Sequence, residues 1–329
     1  MKQLAVSLLF LACANPIFGQ AQSDFHLALP DHKGQLTWSV DRFKIIENSA
    51  KSNGHELGVS ARDTSGPVTL LAFLFLAPET APMTGVKCRD AAIAQARQTD
   101  PTLKIVRLSE IPRSGGLPVA LSDYTTGNRD GTTIYRVRGF VAEGDICGDL
   151  EFYSNKPLTG EDLDLKKAFL SYRLDPRYSA QFSDLFFYAQ VLYQHHDYRA
   201  AAPIFEKGLT MVPPDGAPFK SAIIARRVTR NQAGMSYGIS GDLAKSKAIF
   251  ERGVVDDPDY PLSYYNLACV AAEEKKLPDA MRHLRQAFDR KANVNPGETM
   301  PVPTEDDSFL PYKDNREFWT FLQGLAAAR

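Results

Sequence analysis

Residues 234–238 read Gly-Met-Ser-Tyr-Gly, the G-x-S-x-G spacing that presents a nucleophilic serine, here Ser236, for acyl transfer. That chemistry needs a buried strand running into a sharp turn and a helix, so that the hydroxyl stands exposed beside a base. The residues before it, IARRVTRNQA, are charged and helical in period. The expectation is therefore a serine inside a helix. His195 and His196 are adjacent, and neighbours on one turn rarely converge on a metal ion alone. His283 lies on a helical stretch as a surface or seam residue. No His-Glu-x-x-His, phosphate-binding loop or dinucleotide fingerprint occurs. The acids of EDLDLKK at 161–167 suit the first turns of a solvated helix. No catalytic residue, metal ligand or cofactor is assigned, and the chain is read as a non-enzyme.

The cysteines depend on the compartment. Lys2 followed by the short apolar run at 4–12 and the small residues of Gly19-Gln20-Ala21 resembles a signal peptide over 1–21, cleaved before Gln22. The competing reading is a lipoprotein, because Leu11-Ala12-Cys13 resembles a lipobox and Cys13 would then carry a lipid anchor. Either way the protein is expected to be exported, periplasmic or secreted. Export leaves Cys88, Cys147 and Cys269. An oxidising compartment favours pairing, and the first two share one candidate domain. A Cys88–Cys147 bridge would stabilise the fold by about 4 kcal/mol in the chain-entropy model. The alternative is two separate buried thiols. No CxxC or paired Cys/His spacing suggests metal.

The chain has 329 residues, 44% hydrophobic and 23% charged, which suggests two ordinary globular domains. A formal net charge of −1 argues against capture of nucleic acid. No mature segment reaches membrane-spanning length; the apolar run at 68–77 suits a buried strand.

Residues 22–175 are expected to form an α+β domain, an antiparallel sheet with helices. Phe43–Asn48 and His55–Arg62 flank the turn signal Asn53-Gly54. Stretches 117–125, 132–142 and 146–154 read as a meander turned at Asp130-Gly131 and Glu143-Gly144. Helices are expected after Cys88 and over 160–173, the second capped by Thr159. Trp38, Tyr124 and Tyr135 are core or cross-strand residues, or line a pocket. The element order resembles PsbP-like α/β sandwiches. After Pro176 strand signals give way to helical periodicity.

That periodicity repeats. Shifting 264–288 back by 34 residues places Ala268 on Gly234, Ala280 on Ser246 and Ala287 on Gly253. A further 45 reaches Ala189, Ala201 and Gly208. The extra length falls in MVPPDGAPFKSA, a loop and a helix extension. Small side chains there let paired helices approach, while Phe205, Phe250 and Leu284 fill the seam. Residues 292–313 are rich in proline and acid and are expected to be a surface connector. Over 314–329, Asp314 and Glu317 make a capping-box spacing, and Phe318, Phe321, Leu322 and Leu325 form the apolar face of a capping helix.

These residues resemble the tetratricopeptide (TPR) repeat family over about 181–325, through small residues at repeat positions 8, 20 and 27 and through Pro213 and Pro258 at the terminal position. Ala292 and Arg230 depart from that pattern. The resemblance implies an all-α solenoid of three helix pairs over 176–291 that binds a protein or peptide in its concave groove, with the exported chain an adaptor or scaffold. The alternative is a secreted enzyme or ligand-binding protein acting through the N-terminal domain. Carrying over positions 5, 9 and 12 gives Phe186, Gln190, Tyr193, Asn231, Met235, Tyr265 and Cys269 as groove residues. The lysine-and-asparagine pattern with which some members clamp a C-terminal carboxylate is missing. The other possibility is that 292–311 folds back and fills the groove.

Overall fold

The computed structural model describes residues 24–77, 82–114, 116–159 and 163–327. The leader at 1–21, Cys13 and the start of the 160–173 helix lie outside them. The described chain divides between Asp184 and Leu185 into two compact units.

Among the described residues the first unit holds ten strands in two antiparallel sheets. β1 (Asp24–Ala28), β2 (Lys33–Ser39) and β10 (Arg173–Ser179) form the smaller sheet in the order β1-β2-β10. The larger runs β3-β4-β5-β9-β8-β7-β6, with β3 Phe43–Ala50, β4 Glu56–Asp63, β5 Thr69–Leu76, β6 Lys104–Ile111, β7 Val119–Gly127, β8 Thr133–Glu143 and β9 Ile146–Ser154. The apolar run expected as a buried strand is β5, and the expected meander is β7-β8-β9.

The sheet continues past Pro176, where strand signals were expected to end. β10 pairs with β2 from Arg173 through Ser179 with a register shift between Asp175 and Ser179. Proline fits there because β10 is an edge strand. Leu174 is buried and Pro176 and Tyr178 on the same side are half-buried, but a proline in the middle of the segment reads as the end of a strand.

Helix α1 (Gly85–Thr99) packs on the larger sheet, capped by Thr84, whose hydroxyl accepts from Lys87 N–H. Cys88 on α1 and Cys147 on β9 are joined in a disulfide amid Met83, Ala120, Phe140 and Ala142. On α2 (Leu163–Ser171), Phe169 meets Phe152 edge-to-face at 5.5 Å. Trp38 is buried and stacks on Phe25 at 5.3 Å, and Tyr124 is buried with its hydroxyl 3.3 Å from Glu151, so both are core residues. Tyr135 is half-buried.

The second unit is helical. α3 (Phe182–Gln194) pairs with α4 (Tyr198–Leu209), α5 (Ala222–Ile239) with α6 (Leu243–Asp256), and α7 (Pro261–Glu273) with α8 (Leu277–Phe288). The turns inside the pairs are copies of one another. His196, Gly241 and Lys275 occupy equivalent places with φ of 62°, 91° and 63°. In each, the next residue's N–H reaches back five residues: Asp197 to Leu192, Asp242 to Tyr237 and Lys276 to Ala271. This is the Schellman closure, which satisfies helix-end carbonyls and needs a left-handed residue. Asp197 and Asp242 then cap the following helices.

The small residues lie where the helices cross. Ala189, Ala201, Gly234, Ser246, Ala268, Ala280 and Ala287 are all buried. A Cβ on Gly234 would sit 2.4 Å from Phe250 Cζ, so the close crossing excludes any larger residue. These are TPR-type helix pairs by spacing, turn geometry and crossing residues.

The connector is folded onto the helices, contrary to the surface role expected for it. Asn295, Met300, Ser308 and Phe309 are buried. Met300 and Phe309 join a core with Tyr265, Leu284, Phe318 and Leu322. Helix α9 (Arg316–Ala327) closes the unit, with Phe318 and Leu322 buried and Phe321 and Leu325 half-buried. Its cap is Asn315, whose Oδ1 accepts from Phe318 N–H at 3.1 Å; the capping box expected from Asp314 is displaced by one residue.

Candidate docking groove

The first helix of each pair, α3, α5 and α7, carries the seven residues expected to line a groove. The structure separates them into two sets. Phe186 meets Phe205 at 5.6 Å and Phe219 of the 210–221 loop at 4.9 Å. Tyr193 packs against Tyr198 at 4.9 Å and Phe205 at 6.3 Å, and burial pushes its phenol up. Both rings therefore contribute to the α3–α4 seam. Gln190 and Met235 are half-buried, and Met235 borders the Phe250–Leu267–Val270 cluster.

In the other set, Tyr265 and Cys269 lie under the connector. Tyr265 is 2% exposed and donates its hydroxyl to Asp306 Oδ2 at 3.0 Å. Cys269 Sγ lies 3.8 Å from the same oxygen. The connector thus covers Tyr265 and Cys269, as in the alternative in which 292–311 folds back over the groove. Asn231 donates to Tyr260 Oη at 3.0 Å and accepts from Asn266 at 3.3 Å.

Residues that the repeat positions did not single out complete this surface. Arg227 pairs with Asp257 at 2.7 Å, lies 4.4 Å above the Tyr260 ring, and donates to Asn293 O at 3.1 Å and Asn295 Oδ1 at 3.3 Å. Tyr260 donates to both oxygens of Glu298, at 3.0 and 3.1 Å. Tyr312 donates to Ala272 O at 2.6 Å. The strap from Asn293 to Tyr312 therefore meets Arg227 of α5, Tyr260 at the cap of α7, and Tyr265, Cys269 and Ala272 along α7. One sequence signal was available: Asn295-Pro296-Gly297-Glu298 is a turn pattern, and Gly297 has φ of 83° as a type II turn requires.

Burial dominates the electrostatics of the strap carboxyls. Burial pushes the Glu298 carboxyl above its ordinary range, although Asn295 N–H, the Tyr260 hydroxyl and Arg227 all favour its ionised form. Burial likewise raises Asp306, against donation from Ser308 N–H and the Tyr265 hydroxyl, and neighbouring Asp307 adds to the rise. The Cys269 thiol is driven well up, first by burial and then by Asp306, so it is a poor nucleophile.

Ser236 lies inside α5 and is buried. No strand–turn–helix presents it. His196 Nδ1 lies 2.7 Å from Tyr198 Oη on an exposed turn. Among the described residues no cluster of three or more His, Cys, Asp or Glu could hold a metal ion, and no helix is long and apolar enough to cross a membrane.

No family model and no curated protein matches the chain. Solved structures of repeat proteins do. YrrB, a TPR protein with an unusual peptide-binding site, is 18% identical over 35% of this chain and 53% of its own, with a TM-score of 0.29. The match thus spans about half of that protein. The type III secretion translocator chaperone SycD of Yersinia enterocolitica is 17% identical over 45% of this chain and 92% of its own, with a TM-score of 0.30. MamA from Desulfovibrio magneticus RS-1 is 15% identical over 45% and 77%, with a TM-score of 0.32.

Proposed function

We propose that this protein is an exported adaptor or scaffold whose helical array docks a non-helical segment of a protein partner along α3, α5 and α7. One observation carries the reading. Part of the first-helix row already holds such a segment, its own strap, through Arg227 of α5, Tyr260 at the cap of α7 and Tyr265 of α7. A row that grips irregular chain by side-chain hydrogen bonds has the chemistry to grip another. Gln190 and Met235 lie beyond those contacts and offer an amide and an adaptable thioether.

Export is supported by the Cys88–Cys147 disulfide, which suits an oxidising compartment, together with the leader-like first residues. Intact mass of the secreted chain tests it. A start near Gln22 supports export as a soluble protein, whereas a diacylated chain starting at Cys13 selects a lipid-anchored one.

Docking is tested by placing a photo-crosslinking residue at Gln190, at Met235 or at Val255, a 72% exposed position on α6. Crosslinks to one and the same protein from the first two, and none from the third, are expected. Equal crosslinking from Val255, or from the exposed Val106 of β6 alone, would move the partner off the row.

A further inference from the structure

Two arginines meet at the C-terminal end of α2. Arg113, from the link between β6 and β7, donates Nη2 to the Phe169 carbonyl. Arg173, at the start of β10, donates Nη1 to the Leu170 carbonyl and, at 3.0 Å, to the Tyr172 carbonyl. Phe169 and Leu170 lie in the last turn of α2, where carbonyls lack N–H partners within the helix. One cation is enough to cap such an end, because it carries about half a negative charge. Two guanidiniums leave an excess of about 1.5 positive charges.

No carboxylate meets that excess among the described residues. The hydrogen bonds of both arginines go to backbone carbonyls alone. Arg113 is half-buried, and its Nε is buried and donates to nothing. Burial pushes the Arg113 guanidinium down to about 10, and the charge of Arg173 pushes it the same way. The acid of β10, Asp175, has its side chain on Arg177 N–H. The other half-buried arginines of the large sheet are matched differently: Arg136 pairs with Glu151 and Arg138 with Asp149. A partly desolvated guanidinium facing a second guanidinium and no counter-ion is costly, and an anion between them removes the cost.

We propose that Arg113 and Arg173 form a binding site for a phosphate group at the end of α2. A phosphate near neutral pH carries close to two negative charges, and its oxygens suit guanidinium forks. One donor on each arginine is fastened to a helix carbonyl, so both forks are positioned before the ligand arrives. Leu170 is 45% exposed beside them. The group is either free phosphate or the head of an ester whose apolar substituent lies on Leu170. The site belongs to the N-terminal unit and stands independently of the docking row.

The test uses the full-length, disulfide-intact chain, isotope-labelled for NMR of the arginine Nε–H groups. The probes are inorganic phosphate and butyl phosphate at constant ionic strength, with chloride as the control. The Arg113 and Arg173 signals are expected to shift together and saturate with phosphate, while those of Arg136 and Arg138 stay in place. Arg173 is exposed, so Arg173→Gln should keep the fold, with the sheet amides as the check, and weaken phosphate at least about tenfold. Arg113→Lys keeps the charge without the fork and should weaken it as well. Tighter binding of butyl phosphate that is lost in Leu170→Ser identifies an ester; equal binding of the two probes identifies the free anion.

Two results would overturn the proposal. Shifts that grow with phosphate without saturating, or that chloride reproduces, reduce the pair to capping of α2. Saturable phosphate binding that persists unchanged in folded Arg173→Gln places the anion elsewhere.

Discussion

Tyr265 on α7 donates its hydroxyl to Asp306 at 3.0 Å across 41 residues of chain. Five residues earlier, at the cap of the same helix, Tyr260 does the same for Glu298 at 3.0 Å across 38. Two tyrosines near the start of one helix thus hold two carboxylates of one strap. Removing the first hydroxyl by Tyr265→Phe keeps the ring against Phe309 and leaves Asp306 with fewer donors. The expected loss is about 1–3 kcal/mol, the cost of an unsatisfied buried acceptor. It should appear in the exchange of strap amides before any change in α5 or α6. Unchanged protection at Ser308 would contradict it.

The closed strap should also respond to pH. Burial raises the Glu298 and Asp306 carboxyls in the closed state, and opening returns them to ordinary values. A carboxyl raised in the closed state binds its proton more tightly there. Closure is therefore favoured fully below the ordinary carboxylate range of about 4 and weakens as pH rises through the raised values. The groups facing these carboxyls are Arg227, Tyr260, Tyr265, Cys269, Glu273 and Asp307. Of them, Glu273 is itself raised by burial and titrates in the same direction. Carboxyl-carbon NMR with amide exchange, corrected for intrinsic rates, reads this out. Protection of Asn295 and Ser308 that grows with pH would contradict it.

Gly234→Ala sets two effects against each other. Alanine favours helix by about 1 kcal/mol, but its Cβ would stand 2.4 Å from Phe250 in a packed seam. Overpacking costs about 1–3 kcal/mol, so net destabilisation of the helical unit is expected in denaturant unfolding. A neutral or stabilised variant would show that α5 and α6 can separate freely.

Paired serine substitution, Cys88→Ser/Cys147→Ser, opens a loop of 59 residues. A loss of about 4 kcal/mol is expected in the N-terminal unit. The helical unit, whose one cysteine among the described residues is the free Cys269, should melt as before. A parallel loss in both transitions would contradict this assignment.

The helix pairs were legible because close crossings and helix-end turns act locally. Ala201, Ser246 and Ala280 must be small wherever the rest of the chain goes. Gly241 advertises its left-handed turn, though His196 and Lys275 adopt the same φ without advertising it. The capping helix was legible from Phe318 and Leu322, while its cap was missed by one place because Asp314 and Asn315 are both good N-cap residues. Edge strand β6 was hidden because its half-exposed sequence lacks a full apolar alternation, and β10 because Pro176 stands in its middle. The strap was hidden for a different reason. Its partners lie 37 to 68 residues away and follow no period, so Tyr260 and Arg227 cannot be matched to Glu298 and Asn295 from spacing. The groove positions were assigned from the repeat register, which fixes which face of α7 Tyr265 occupies but not what covers it.

The central claim is that the first-helix row of α3, α5 and α7 docks a non-helical segment of a protein partner. The most direct measurement is photo-crosslinking from Gln190 and Met235 in the full-length, disulfide-intact chain, with the exposed Val255 of α6 as the control. Crosslinks to one and the same protein from the first two positions, and none from Val255, are the predicted result. Equal crosslinking from Val255, or none from Gln190 and Met235, would contradict it.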